Sequence, residues 1–147
     1  MSTTDLSRGV RASGFHDAEC AGYVADIPLW LALADTVGGP VLDLGAGTGR
    51  VTIPLLMAGH EVVGVDLEPD LLDELRRRAR ELRLPPVETV AADLRTLDQH
   101  ASELGRRAAL VAIPMQTIQL LGGPDERVAM FRAAAAVCGA SPNETAL

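Results

Sequence analysis

The chain has 147 residues, which fits a single domain with a sizeable core. Its net charge of −7 argues against a general nucleic-acid-binding protein, and a 48% apolar composition with few aromatics predicts an aliphatic core. The first 14 residues hold no apolar signal segment, and no run approaches the roughly 18 apolar residues of a membrane span. We therefore expect a cytoplasmic protein without a membrane partner.

The two ends of the chain differ from its middle in composition. Residues 1–14 are rich in Ser, Thr, Gly and Arg and are expected to be disordered, and residues 139–147 form a polar tail without a strand pattern. The folded domain is therefore predicted over residues 15–138. Cys20 and Cys138 match no metal or redox spacing, so we expect two unpaired thiols rather than a disulfide, and no metal site.

Helical and strand patterns follow one another along the middle of the chain. A helical pattern over residues 16–37, divided at Pro28, ends at two glycines. The later predicted elements are the strand PVLDL (40–44), the helix TGRVTIPLLMAGH ended by Gly59, the strand EVVGVDL (61–67), the helix EPDLLDELRRRARELRL, the strand VETVAADL (87–94), the strand AALVAIP (108–114) and a helix from Pro124. The predicted apolar stripe of the helix after the second strand is Leu72, Leu75, Ala79 and Leu82.

Strands that alternate with helices predict an α/β fold with right-handed crossovers and a mostly parallel sheet. Strands that are almost wholly apolar are typical of strands covered by helices on both faces. In such sheets a ligand binds beyond the carboxyl ends of the strands, where the strand order reverses. This rule places the glycine loop, Asp66, Asp93 and Pro114 on one rim of the sheet, and His60 at the opposite edge.

The glycine loop, residues 45–49, follows the first strand and would let a ligand lie against bare backbone. The dinucleotide fingerprint Gly-x-Gly-x-x-Gly needs its third glycine at the position of Arg50, so the third glycine of this chain comes one residue early. A glycine triplet by itself is equally compatible with a structural turn. The early third glycine argues against a pyrophosphate bound at the start of the following helix. It therefore makes an NAD(P)-dependent oxidoreductase a less favoured interpretation.

Three aspartates belong to the strands that meet at this rim. A carboxylate at Asp66, where the second strand ends, can accept hydrogen bonds from both ribose hydroxyls of an adenosine. Asp93, where the third strand ends, either accepts from an exocyclic amine or caps the next segment. Asp43 lies inside an apolar strand, so it either accepts from backbone amides or faces a cationic group of the ligand.

These motifs resemble those of the class I S-adenosylmethionine-dependent methyltransferases, whose fold is a Rossmann-like three-layer α/β/α sandwich. VLDLGAGTGR is similar to the first motif of that family, and VVGVDLEPDLLDELRRRA to its acidic second-strand motif. VAADLRTL and LVAIPMQTIQLLGG resemble the third motif and the fourth strand with its loop. The resemblance covers residues 23–137 and implies S-adenosylmethionine as the cofactor.

The resemblance also implies which residues bind the methionyl end of this cofactor. Gly45, Ala46 and Gly47 would approach it with their backbone, and Asp43 would meet its ammonium group. The residues implied near the reacting methyl group are Ile113 and Pro114. Methyl transfer is an in-line displacement that depends on alignment and on exclusion of water more than on an acid–base pair.

Four further residues are implied at the adenosine end. Asp66 would hold the ribose hydroxyls, and Leu67 would pack on the adenine. Asp93 would accept from the adenine amine while the amide of Leu94 donates to the ring. The polar side chains after the fourth strand lie where substrate specificity is usually set in this family; they are Gln116, Thr117 and Gln119.

The family's sheet has seven strands, and this pattern supplies about four of them. After AAAAV the chain reads CGASPNETAL, so it resembles a family member truncated after the fourth strand. The fourth strand would then be an apolar edge open to self-association. The expected function is methyl transfer to a small-molecule acceptor, without a nucleic-acid partner. A non-catalytic or partner-requiring methyltransferase-like protein is the alternative.

Overall fold

The computed structural model describes residues 22–104, 108–115 and 117–138. The helices are α1 (Ile27–Val37), α2 (Thr52–Met57), α3 (Pro69–Glu81) and α4 (Pro124–Val137). The strands are β1 (Val41–Leu44), β2 (Val62–Asp66), β3 (Glu88–Ala91) and β4 (Leu110–Ala112). Two 3-10 segments, Leu94–His100 and Thr117–Leu120, follow β3 and β4. The predicted order of elements is confirmed from α1 onwards, whereas the predictions for residues 1–14, 16–21 and 139–147 lie outside the described residues.

The four strands form one parallel sheet in the order β3-β2-β1-β4. In register, Val41 of β1 is paired with Val62 of β2 on one side and with Leu110 of β4 on the other. The chain therefore runs outward from β1 through β2 to β3, and then returns to place β4 on the far side of β1. The strand order reverses at β1, and its carboxyl end is the place where a ligand crevice is expected.

Buried side chains form one cluster on each face of the sheet. Val41 and Val62 belong to the first cluster, which includes residues of α1, α2 and α3. Leu42 and Val63, the next residues along the same strands, belong to the second cluster, which includes residues of the first 3-10 segment and α4. Because successive strand residues point to opposite faces, β1 and β2 are covered on both sides, as predicted. The three-layer α/β/α architecture is confirmed. Among the described residues, no helix has both the length and the apolar character needed to cross a membrane.

The predicted apolar stripe of α3 is wrong at its last position. Leu82 is 53% exposed, because α3 ends at Glu81 and the chain then turns through Arg83 with a φ of 55°. The left-handed residue brings Leu84 back, so that its amide donates to Ala79 O and its side chain packs against the first cluster. Leu84 therefore takes the place that was predicted for Leu82.

The third glycine of the loop is required by packing. Gly49 has a φ of 99°, and a Cβ built on it would lie 2.4 Å from Leu75 Cδ1 and 2.9 Å from Ile53 Cγ1. Any side chain at Gly49 would therefore displace the side chain of Leu75, which is fully buried, or that of Ile53. Contact between the loop and α3 therefore explains the early position of this glycine. The position is also the one that argues against a bound pyrophosphate.

We expect Gly49→Ala to lower the free energy of unfolding by about 2–4 kcal/mol, because backbone strain and a steric clash act together. Gly59→Ala is the matched control: Gly59 also has a positive φ, of 90°, but among the described residues no heavy atom beyond its chain neighbours lies within 4 Å of the position that a Cβ would take there. Only strain remains at Gly59, so about 1–2 kcal/mol should be lost. Urea unfolding of both variants measures the difference, and equal losses would contradict the packing role of Gly49.

Candidate functional site

The glycine loop is fixed to the carboxyl end of β2. The amides of Gly45 and Ala46 both donate to Val65 O, at 2.8 and 3.0 Å. Gly45 and Gly47 have φ angles of 79° and 54°, in the left-handed region that glycine adopts without strain. A Cβ on Gly45 would lie 2.6 Å from two side-chain atoms of Thr117, in the segment after β4. The side chain of Thr117 therefore packs against the loop backbone at Gly45, where only a glycine fits.

Asp66 lies at the end of β2, beside this loop. Its Oδ2 accepts from the amide of Gly47 at 2.8 Å, and its Oδ1 accepts from the amide of Glu68 at 3.0 Å. A carboxylate has about four acceptor positions, so each oxygen can accept one further donor. Glu68 occupies the N-cap position of α3 but makes no capping bond with its side chain. Asp66 thus orders both neighbouring turns and can still receive two hydroxyl donors.

Asp43 is buried in β1, with 1% of its surface exposed. Thr52 donates from its hydroxyl to Asp43 Oδ2 at 2.6 Å, whereas the buried Oδ1 has no hydrogen-bond partner among the described residues. Burial raises the pKa of Asp43 to about 6, against the opposing effects of the Thr52 hydrogen bond and the nearby positive charge of Arg50. The sequence left two partners open for this carboxylate, backbone amides or a ligand cation; the structure places Thr52 on it, through its hydroxyl and with a smaller contribution from its backbone amide.

Asp93 caps the 3-10 segment that follows β3. Its Oδ1 accepts from the backbone amide of Arg95 at 2.9 Å, and its carboxylate also binds the guanidinium of Arg95. The Arg95 guanidinium holds the pKa of Asp93 below its ordinary value. Arg95 also reaches Glu126 Oε1 in α4, at 3.2 Å. The capping alternative for Asp93 is therefore realised, and an adenine amine would share this carboxylate with Arg95.

The remaining predicted cofactor residues lie along the same rim. Leu67 is 60% exposed directly after β2, as a side chain that packs on a ligand would be before binding. Leu94 and Ile113 are half-buried and pack partly against the second cluster. Pro114 is buried, and its carbonyl accepts from Thr117 Oγ1 at 2.9 Å.

His60 lies at the other end of the sheet, before β2, as predicted. Its Nε2 lies 3.1 Å from Asp35 Oδ1 of α1, far along the strands from the glycine loop. Cys138 is a free thiol whose Sγ lies 3.5 Å from Ala108 O, while Cys20 lies outside the described residues. Neither His60 nor Cys138 is part of the rim.

The sequence analysis did not predict a role for Arg50 in the candidate site. Its guanidinium binds both carboxylate oxygens of Asp26, at 2.6 and 2.9 Å, and its Nη1 donates to Tyr23 O at 2.8 Å. Thr52 and Arg95 were missed as well. Thr52 could have been suspected, because it is a polar residue at the start of the helix that follows the strand with Asp43. Arg50 gave no such signal, because its partners lie far away in sequence.

The arrangement suits a cationic ligand that contains an adenosine. A buried carboxylate oxygen without a donor costs free energy, and an ammonium group would satisfy it. Asp66 lies on the strand next to Asp43, two residues beyond Gly64, the register partner of Asp43, and it offers two further acceptor positions. The glycine loop follows β1, which carries Asp43, and the amide of Gly47 in this loop donates to Asp66.

Comparison with known proteins identifies the family and the fold. A family model described as a methyltransferase domain matches residues 41–139. The solved CcbJ methyltransferase from Streptomyces caelestis is 32% identical, with a TM-score of 0.67 over 81% of this chain and 48% of that one. The S-adenosylmethionine-bound amino pentose methyltransferase CalS10 from Micromonospora echinaspora is 26% identical, with a TM-score of 0.64 over 83% of this chain and 50% of that one.

A curated relative is also similar: ribosomal RNA small subunit methyltransferase A from Thermosynechococcus vestitus is 40% identical over 86 residues, which are 58% of this chain and 31% of that protein. The chain thus spans about half the length of the two solved structures and less than a third of this relative. The matched family region contains β1 to β4 with the glycine loop and all three rim aspartates. The chain belongs to the methyltransferase-domain family and has the Rossmann-like fold of the class I S-adenosylmethionine-dependent methyltransferases.

Proposed function

We propose that the chain binds S-adenosylmethionine at this rim and transfers its methyl group to a small-molecule acceptor. The observation that carries the proposal is Asp43, whose buried Oδ1 has no partner among the described residues. A phosphate would be repelled by this carboxylate, whereas the ammonium group of a methionyl chain would satisfy it. Family membership independently favours the same cofactor.

The cofactor supplies an electrophilic methyl group on a sulfonium. The residues of the chain would bind and orient it: Asp43 at the ammonium, Asp66 at the ribose hydroxyls and the backbone of residues 45–47 along the methionyl chain. Leu67 would cover the adenine and lose its exposure to water. Alignment and exclusion of water account for much of the acceleration of such a displacement, so the rim needs no acid–base pair.

Titration calorimetry with S-adenosylhomocysteine tests the cofactor assignment. We expect saturable binding with one site per chain, and no fluorescence enhancement of NADH or NADPH under the same conditions. Circular dichroism must show that the sample is folded. A folded sample that binds no S-adenosylhomocysteine would contradict the proposal, and NAD(P)H binding would favour the oxidoreductase instead.

The second candidate acceptor is RNA, because the relative from Thermosynechococcus vestitus is a ribosomal RNA methyltransferase. The net charge of −7 favours a small molecule, since RNA binding depends on phosphate neutralisation by basic residues. Methyl transfer from radiolabelled cofactor to a panel of amines, alcohols and carboxylic acids should label a small molecule. If only ribosomal RNA is labelled, RNA is the acceptor and the small-molecule proposal is wrong. Tight cofactor binding without any methyl transfer would favour a non-catalytic protein.

Self-association through β4 is a further part of the proposal. Within the described residues β4 pairs only with β1, so its other backbone edge can accept a strand. We expect the mass from light scattering to rise with concentration. Val111→Pro removes one backbone donor from this strand, and an unchanged mass profile in a folded Val111→Pro variant would contradict an interface at β4.

A further inference from the structure

Arg50 connects two parts of the chain that are far apart in sequence. It directly follows the glycine loop, and its guanidinium makes a two-pronged contact with Asp26, at the start of α1. The same guanidinium donates to Tyr23 O and lies 5.7 Å from the centre of the Tyr23 ring. One side chain thus holds the turn of residues 23–26 against the glycine loop.

The contact between Arg50 and Asp26 is shielded from water. The side chains of Arg50 and Asp26 are only 9% and 16% exposed. The hydrogen bonds from Arg50 lower the pKa of Asp26 to about 2, so the pair stays ionised over the whole physiological range. A planar guanidinium that meets both carboxylate oxygens fixes orientation as well as distance, which a lysine could not do.

Arg50 also lies close enough to Asp43 for its positive charge to lower the pKa of that carboxyl. A bare guanidinium beside Asp43 would compete with an incoming ammonium group for the same carboxylate. Asp26 balances the charge of Arg50 and draws the guanidinium towards the turn. The pair therefore has two effects at the methionyl end of the site: it fixes the turn and leaves Asp43 to the ligand.

We propose that Arg50 is a positioning residue, which through Asp26 holds the turn of residues 23–26 beside the glycine loop and so slows release of the bound cofactor. The inference rests on the proposed function. It assigns a role in binding to Arg50 and Asp26, which belong neither to the glycine loop nor to the rim aspartates. Arg50 acts through Asp26 and the turn and need not touch the cofactor.

The chain contains a built-in reporter for this contact. Trp30 is the only tryptophan, and its Nε1 donates to Asp26 Oδ2 at 2.9 Å, the oxygen that Arg50 Nη2 also binds. Loss of Arg50 should free Asp26 and change the environment of the indole. The emission maximum and acrylamide quenching of Trp30 therefore report on the turn without any ligand.

The test compares Arg50→Met, Arg50→Lys and Asp26→Asn with the wild type. Stopped-flow displacement measures the dissociation rate of S-adenosylhomocysteine, and calorimetry measures its Kd. We expect Arg50→Met to speed dissociation at least tenfold and to increase quenching of Trp30. Arg50→Lys should recover part of both effects, and Asp26→Asn should resemble Arg50→Met. The double variant should be no worse than the poorer single one, because the two residues act as a unit.

Arg80→Met is the matched control, since Arg80 is an exposed arginine of α3 and its loss makes the same change in net charge. It should leave the dissociation rate and the Trp30 signal unchanged. If the wild type binds S-adenosylhomocysteine but folded Arg50→Met or folded Asp26→Asn releases it at the wild-type rate, the inference is wrong and the proposed function stands. If the folded wild type binds no S-adenosylhomocysteine, the proposed function fails and the inference with it.

Discussion

Asp43→Asn should weaken binding of S-adenosylhomocysteine about 100-fold, a loss of about 3 kcal/mol, because an ammonium group loses its buried counter-charge. The asparagine has nearly the shape of the aspartate, and its carbonyl oxygen can still accept from the Thr52 hydroxyl. The fold should persist, since the variant keeps this hydrogen bond. Calorimetry at pH 8 measures the change in affinity.

A ligand without the amino acid part separates this effect from general damage to the site. 5′-Methylthioadenosine has the same nucleoside but no ammonium group, so wild type and Asp43→Asn should bind it equally well. If Asp43→Asn weakens both ligands alike, Asp43 shapes the loop and does not meet the ammonium group. If it weakens neither, the assignment of Asp43 to the cofactor is wrong.

The raised pKa of Asp43, about 6, also predicts a pH dependence of binding. The carboxylate form meets the ammonium group, so affinity should fall as the pH drops through 6, by up to about tenfold per pH unit. The charged and polar groups around Asp43 are Thr52, Arg50 and Asp66. Asp26, paired with Arg50, titrates near pH 2 and does not contribute in this range. Asp43→Asn should abolish the dependence between pH 5 and pH 7.

Stability should respond to pH in the opposite sense. A carboxyl whose folded pKa lies above its unfolded value stabilises the fold below the unfolded value, and that contribution is lost as the pH rises through 6. The wild type should therefore gain about 1–3 kcal/mol relative to Asp43→Asn between pH 8 and pH 4. We therefore expect Asp43 to lower the stability at neutral pH, which is common for a buried charge retained for binding.

The sequence predicted the fold well because its signals are local. Apolar strands, a Gly-Gly helix end and proline helix starts each act within a few residues, and β1 to β4 lie within the predicted segments. The end of α3 was misjudged because Arg83, a residue with a positive φ, closes the helix without a glycine. A left-handed arginine has no sequence signature, so Leu82 was included in the predicted apolar stripe.

The sequence predicted the positions of the candidate site, but it did not predict which residues hydrogen-bond to them. Asp43 and Asp66 are recognisable because acids in or after apolar strands are unusual. Their donors are harder to find, since Thr52 and Gly47 come into place only when the loop closes. Arg50 and Asp26 are separated by 24 residues, and their pairing depends on how α1 packs beside α2. Such contacts are set by tertiary structure and leave no periodic pattern.

The two carboxylates of the rim differ in their surroundings, and that difference sets their chemistry. Asp43 is buried with one hydroxyl donor, so it suits a group that brings a positive charge. Asp66 is half-buried with two backbone donors, so its charge is already partly compensated and it suits neutral hydroxyls. A ligand with an ammonium group at one end and a ribose at the other would match both.

Asp66→Ala should weaken binding of S-adenosylhomocysteine about 10- to 100-fold, or roughly 1.5–3 kcal/mol, because two hydroxyl hydrogen bonds to a carboxylate are lost. Asp66→Asn should be no better than Asp66→Ala. Both carboxylate oxygens accept from backbone amides, those of Gly47 and Glu68, so the new NH₂ group would face one of these donors. Asp70→Ala, which removes an exposed acid in the first turn of α3, is the control and should leave binding unchanged.

Asp66 also orders the glycine loop, so a second measurement must isolate the ribose contact. The wild type should bind 5′-methylthioadenosine more tightly than its 2′-deoxy analogue, because the analogue lacks one donor to the carboxylate. Asp66→Ala should bind the two with the same affinity if Asp66 is the acceptor for that hydroxyl. If Asp66→Ala still discriminates as strongly as the wild type, another residue binds the hydroxyl, and the role of Asp66 is confined to holding the amides of Gly47 and Glu68.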